Sequence, residues 1–280
     1  MSQNSSPARR SAARTVTIVV LIAAIIVCAY SAYNIYAILS EDASSDEVTQ
    51  TMRSFVRTVA PEESAAPPTG ETAAVQPEAP GVPASAAVAA QSPLLEIDFS
   101  GLQDINSEII AWIDIPGTDI SYPVVQTDND DYYLTHSYDG TRNRAGAIFL
   151  DSRVETGFAG QNTVIYGHRM NNGSMFGTLH RLDDADYRKQ HEYIHIYLPG
   201  QAEPVVYQIF ATWDSSASLD STAYQVDFAD PEAAEAWLSD LAAKSFVEGA
   251  PQPGSEILTL STCVRGDGST RFIVAAQRLN

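Results

Sequence analysis

The sequence predicts a mainly β fold: an eight-stranded closed β-barrel with short helices, preceded by an N-terminal transmembrane helix and a disordered linker. Three observations predict it. Eight short β-like runs separated by turn signals fill the C-terminal part of the chain. A long charge-free stretch lies near the N-terminus. Between the two lies a Pro- and Ala-rich acidic segment.

Residues 1–15 carry Arg9, Arg10 and Arg14 and are expected in the cytoplasm. Residues 16–39 hold no charged side chain, and 24 residues are enough to cross a bilayer core of about 30 Å as a helix. Glu41, Asp42, Asp46 and Glu47 follow, so the positive-inside rule puts everything after the span outside the membrane. A cleaved signal peptide is the competing reading, with small residues near Ala29-Tyr30-Ser31, but its apolar core normally spans only 7–15 residues. A lipoprotein site at Cys28 is weak because bulky Val27 precedes it.

Residues 40–92 form the expected linker. Residues 41–92 hold eight acidic residues and two Arg, and seven prolines fall between Pro61 and Pro93. Such a segment buries too little apolar surface to offset the entropy of ordering, so an extended tether is expected. A short helix over residues 47–59 is allowed before it.

Residues 93–280 form the folded domain, long enough for one substantial core. Apolar spacing over residues 94–110 suits one or two short helices. Strands are expected over residues 111–115, 121–126, 146–151, 163–167, 193–198, 205–213, 256–263 and 271–277, from alternation and from bounding Pro, Gly, Asn and Asp. A helix is expected over residues 130–136. Another is expected over residues 231–245, with Asp230 as N-cap and Pro231 in the first turn.

Composition removes several functions. The formal net charge is −19, which opposes nucleic-acid binding, since phosphate contacts need clustered cations. Two cysteines exclude a disulfide-dense scaffold and a four-cysteine zinc site. No His, Asp and Glu cluster has convincing metal-ligand spacing, and Asp128-Asn129-Asp130-Asp131 lacks that of a calcium loop.

With Cys28 in the expected membrane span, Cys263 is the single cysteine of the external domain. An unpaired thiol outside the cell is either intermolecular or reactive, the bland alternative being a buried Cys packing as a small hydrophobe. Cys263 ends a strand and opens into a loop, where a side chain meets substrate. A nucleophilic thiol needs an acid/base and a group to hold developing negative charge. Of His136, His168, His180, His191 and His195, His168 has the best context, at a strand end after Gly167. His195 alternates within a strand and is expected to face solvent. Arg271, at the start of the next strand, and Arg265, in the loop, are rival cations that this reasoning does not separate.

Thr259-Leu260-Ser261-Thr262-Cys263, followed after a short loop by Arg271, resembles the signature of the sortases. The likeness extends to Trp112-Ile113-Asp114-Ile115-Pro116-Gly117-Thr118, Tyr122-Pro123-Val124-Val125-Gln126, Asp130-Asp131-Tyr132-Tyr133-Leu134 and Gly146-Ala147-Ile148-Phe149-Leu150-Asp151. The stretch from Asn162 to His168, with Asn172-Gly173-Ser174-Met175-Phe176-Gly177 and the helix before the cysteine strand, is similar to class B sortases in particular.

The resemblance implies an eight-stranded sortase-type barrel and a membrane-anchored cysteine transpeptidase. It implies Cys263 as nucleophile, His168 as general acid/base and Arg271, rather than Arg265, as stabiliser of the oxyanion or substrate carbonyl. Ser261 and Thr262, and also Tyr133 and Leu134, are implied to line the substrate groove. The implied partners are secreted proteins bearing a C-terminal sorting motif, cleaved after Thr, and an amine of a peptidoglycan precursor. No cofactor or metal is required. Within the family the alternative is a pilus-polymerising sortase using a pilin lysine, against which residues 61–92 lack an Asp-Pro-aromatic lid. An L,D-transpeptidase is a weaker reading, since the expected His-Gly before Cys263 is absent. A non-enzymatic anchored binding module is the third.

Overall fold

A computed structural model describes residues 7–59, 94–154, 158–219, 221–264 and 267–280. The chain divides into two compact units, Met1–Glu47 and Val48–Asn280. Helix α1 (Pro7–Arg53) begins in the first, and its segment from Val16 is long and apolar enough to cross a membrane.

The expected linker departs from this structure at its start. No Pro or Gly interrupts residues 40–53, and the helix continues to Arg53. Strand β1 (Val56–Val59) follows and pairs antiparallel with β2 (Leu94–Ile97), so residues expected to open a helix form a strand instead. The remaining linker residues, 60–92, lie outside the described residues, as do residue 93 and Arg265. In the second unit the last turn of α1 is part of the fold. Met52 is buried in the core, and Arg53 donates from Nη2 to Asp119 O at 3.0 Å and stacks over the Tyr122 ring.

Helix α2 (Phe99–Ile105) starts where the Asp98 carboxylate accepts the Gly101 N–H at 2.9 Å. The barrel then follows the expected strand pattern closely, as β3 (Ile109–Asp114), β4 (Ser121–Val125), β5 (Phe149–Leu150), β6 (Asn162–Tyr166), β7 (Tyr193–Tyr197), β8 (Val205–Ser216), β9 (Ile257–Val264) and β10 (Asp267–Arg278). A one-turn helix, α3 (Ala185–Arg188), precedes β7, and α4 (Pro231–Ala242) precedes β9. The Asp230 carboxylate caps α4 by accepting the Ala233 N–H at 2.8 Å. The closed order is β10–β8–β7–β3–β4–β5–β6–β9. Neighbours are antiparallel except β4 with β5 and β6 with β9, which are parallel.

Alternation divides each strand between two environments. Leu258, Leu260, Ile165, Ile196, Tyr207 and Val274 point into the central core. Ile257, Ala275, Phe210 and Ala211 point outward and are covered by Trp237, Leu238 and Leu241 of α4. Val164 and Ile273 share that outer face and pack against Ala223 and Tyr224.

Residues 130–136 do not form the expected helix; they form turns. The backbone bonds within this segment are single i→i−3 turns, Tyr132 N–H to Asn129 O and Thr135 N–H to Tyr132 O, both at 3.2 Å, and the remaining carbonyls meet side chains or distant backbone. Tyr132 O pairs with His136 Nδ1 at 2.8 Å, Tyr133 O accepts Ala147 N–H at 3.0 Å, and Leu134 O pairs with His168 Nε2 at 2.7 Å.

His195 is a second departure. It is 1% exposed rather than facing solvent, and both ring nitrogens lack a partner among the described residues. Its cross-strand neighbours are Asp114 and Val206. Burial pushes its pKa below the ordinary histidine value, so the ring folds neutral. As pH falls below about 6.5 the unfolded chain takes up this proton first, and stability present above that pH is lost toward the depressed folded value. Melting curves between pH 7.5 and 5.5 are expected to show a fall in Tm that is smaller in a His195→Phe variant.

Candidate active site

Three side chains of complementary chemistry meet where β6, β9 and β10 lie side by side. In the parallel pair, Tyr166 stands opposite Ser261, and Gly167 N–H donates to Ser261 O at 3.1 Å. Two residues further along each chain come His168 and Cys263, so continuing the register brings imidazole and thiol together. In the antiparallel pair, Cys263 stands directly opposite Arg271. Cross-strand partners share a face, so the imidazole, thiol and guanidinium form a row across three adjacent strands. The row lies on the outer face of the barrel, in line with Val164, Ser261 and Ile273, just beyond the cover supplied by Tyr224.

Gly167 permits this approach. A Cβ there would run into Ile148 and the Phe176 ring, so a side chain would push His168 away from β9. After His168 the chain folds back, with Phe176 N–H donating to His168 O at 3.0 Å. Met175 plugs the core in a left-handed conformation (φ 54°), and its N–H donates to Tyr122 OH at 3.0 Å.

The electrostatics favour an ion pair. The hydrogen bond from His168 lowers the Cys263 pKa, overcoming the opposing effect of burial, with further help from the Arg271 charge. The His168 pKa is raised, first by its hydrogen bond to Cys263 and then, against burial, by the Leu134 carbonyl. Both shifts favour thiolate with imidazolium. A neutral ring that donates Nε2–H to Leu134 O at 2.7 Å keeps its lone pair on Nδ1, the arrangement a base needs. Arg271 donates from Nη1 to Gly268 O at 2.8 Å and to Thr270 O at 3.2 Å; among the described residues its hydrogen bonds use that nitrogen only.

The expected groove residues divide. Leu134 is 37% exposed beside His168. Ser261 is buried, with Oγ 2.9 Å from Tyr224 OH. Thr262 is buried on the core-facing side of β9, opposite Phe272, and its Oγ1 lacks a partner among the described residues. Tyr133 lies in the core, its hydroxyl committed to Glu108 and Asn106, so its ring does not line a groove.

Sequence reasoning missed the layer behind the site. Tyr166 OH donates to Asp151 Oδ2 at 2.7 Å, and Arg153 grips the same carboxylate with Nε at 2.9 Å and Nη2 at 2.6 Å. Arg153 Nη2 also donates to Tyr224 O at 3.1 Å, tying this layer to the residue that covers Ser261. Burial alone would raise the Asp151 pKa, but the bonds from Arg153 and Tyr166 outweigh it and hold the carboxyl below its usual value. The sequence signal was an Asp and an Arg two residues apart at the end of an apolar strand, where a buried charge needs a partner.

A family model described as Sortase domain matches residues 113–279. Sortase B of Listeria monocytogenes is 35% identical over 170 residues, which cover 59% of this chain and 67% of that protein. Sortase B of Staphylococcus aureus is 27% identical over 183 residues, 64% of this chain and 73% of that protein. Among solved structures, sortase B from Bacillus anthracis in complex with AAEK1 superposes with a TM-score of 0.64 at 26% identity, covering 87% of this chain and all of that one.

Two measurements check this geometry. The pH dependence of iodoacetamide alkylation at Cys263 is expected to place the thiol midpoint below the ordinary value, and His168→Ala and Arg271→Ala are each expected to move it up. Asp151→Ala is expected to lower stability by about 1–2 kcal/mol in chemical denaturation, because it leaves the half-buried donors of Tyr166 and Arg153 without their acceptor.

Proposed function

Because this chain belongs to the sortase family, as a class B cysteine transpeptidase, we propose that it cleaves a C-terminal sorting motif of secreted proteins after Thr and joins the Thr carbonyl to an amine of a peptidoglycan precursor. The observation that carries this reading is the register that sets His168, Cys263 and Arg271 in one row.

In the first step Cys263 Sγ attacks the Thr carbonyl carbon. Negative charge gathers on the carbonyl oxygen, and Arg271, directly across from the thiol, stabilises it. The peptide C–N bond breaks, and the leaving amine takes its proton from the His168 imidazolium. A thioacyl-enzyme remains. In the second step the incoming amine attacks the thioester carbonyl and gives its proton to neutral His168. The Cys263 thiolate leaves, and the acyl group ends as an amide. The ion pair therefore begins and ends the cycle in the same state, so its stability sets the resting form of the enzyme.

The charge-free segment of α1, with arginines before it and carboxylates after it, supports a single-pass anchor with its N-terminus in the cytoplasm. On that reading the catalytic unit works outside the membrane, where secreted proteins and cell-wall precursors meet.

The test uses the full chain in detergent against a panel of quenched fluorescent sorting peptides, with and without an amine acceptor. Cleavage after Thr, a thioester adduct on Cys263 by mass spectrometry and transfer to the acceptor are expected. Cys263→Ala is expected to abolish turnover, His168→Ala to cost about 10²–10⁴-fold and Arg271→Ala about 10²–10³-fold in kcat. Cleavage that survives loss of Arg271 but not of Arg265 would sink the assignment.

A further inference from the structure

We propose that Tyr133 is a positioning residue for His168, acting through the backbone carbonyl of Leu134 that it holds in place. This rests on the transpeptidase reading above and adds a part to that site. The carbonyl belongs to a segment of i→i−3 turns, Tyr132 N–H to Asn129 O and Thr135 N–H to Tyr132 O, and lies outside those bonds. Four contacts steady it. The Tyr133 hydroxyl donates to Glu108 Oε2 at 2.5 Å and accepts from Asn106 Nδ2 at 2.8 Å. Asn106 Nδ2 also donates to Tyr138 O at 2.8 Å, and Asn106 Oδ1 accepts the Glu108 N–H at 2.9 Å, so anchor and acceptor are themselves fixed. Tyr133 O accepts the Ala147 N–H at 3.0 Å. Gly146, at φ 60°, packs so closely against Tyr133 O and Leu134 O that a Cβ would strike them.

Leu134 O then faces Nε2 of His168 at 2.7 Å. The bond selects the tautomer and ring orientation, because a carbonyl accepts only from N–H. Around the same ring stand Cys263, which favours its protonated form, and Arg271, which opposes it. The Leu134 carbonyl adds to the first effect, so loosening it lowers the His168 pKa. Burial pushes the Tyr133 hydroxyl above the ordinary phenol range, so it remains a donor throughout the working pH range.

The experiment measures pH profiles of kcat and kcat/KM for the full chain and for Tyr133→Phe, Glu108→Ala, Glu108→Gln and Gly146→Ala, alongside melting curves and the imidazole ¹⁵N spectrum. Tyr133→Phe keeps the buried ring and removes the bond. It is expected to lower kcat by about tenfold to a hundredfold with little change in KM. The alkaline limb, where His168 loses its proton, is expected at lower pH, with the Nε2–H signal weakened. Glu108→Ala and Gly146→Ala should move the same limb, while Glu108→Gln, which keeps an acceptor oxygen, should hold it near the wild-type position. A loss confined to KM, or a loss of kcat with the limb and the ¹⁵N signal unmoved, overturns the proposal. Should Tyr133→Phe fail to fold, the Glu108 pair decides: both limbs unmoved overturns it, and only the alanine limb moved supports it. Wild-type thioester formation is read separately, so failure here leaves the transpeptidase reading intact.

Discussion

The parallel pairing of β6 with β9 determines which side chains meet on the outer face of the barrel. With Tyr166 opposite Ser261, the next outward-facing positions are His168 and Cys263, and the antiparallel partner β10 adds Arg271 to the row. A slip of one residue between β6 and β9 would turn one of the two groups to the opposite face. The register is secured on both faces. Ile165 and Leu260 pack inward against the central core, Val164 packs outward with Ile273 and Tyr224, and Thr259 Oγ1 donates to Asn162 Oδ1 at 2.8 Å between the strands. The row of His168, Cys263 and Arg271 is thus a by-product of packing that would be needed in any case to close the barrel.

Behind the row, polar groups replace apolar packing. Asp151 is fully buried, and its charge is tolerated because Arg153 and Tyr166 together saturate it. The same arginine reaches the Tyr224 carbonyl, and Asn162 of β6 donates to Ala223 O and Gln225 O, so the segment that covers the outer face is tied to the end of β5 and to β6. The site is held by bonds between segments distant in sequence.

Much of this was legible in the chain. Short alternating runs bounded by Pro, Gly and Asp marked all eight barrel strands, because a two-residue period and tight turns are local properties. Cys263 stood out through its isolation and its place at a strand end, and Gly167 marked His168. What failed was whatever depended on distant partners. The local spacing of residues 130–136 allows a helix, but the segment forms i→i−3 turns whose free carbonyls meet His168 and Ala147, partners distant in the sequence. Residues 94–97 look apolar enough for a helix until the pairing with Val56–Val59 is known. Tyr133 and Leu134 are neighbours of similar apparent role, yet one is buried and bonded to Glu108 while the other is exposed. Arg153 beside Asp151 showed that a charge pair was available, but not that a tyrosine from β6 would join it.

The closed barrel has a consequence for how the protein comes into being. Its two parallel pairings and the β10–β8 contact join strands far apart in the chain, so folding must close long loops before the rewarding contacts form, and such topologies fold slowly. Until β6 lies against β9, the cysteine has no imidazole beside it and behaves as an ordinary thiol, protonated for the most part at neutral pH. A newly made chain is therefore chemically quiet while its apolar strands are still unpaired, and its thiol meets the imidazole only in the step that completes the fold.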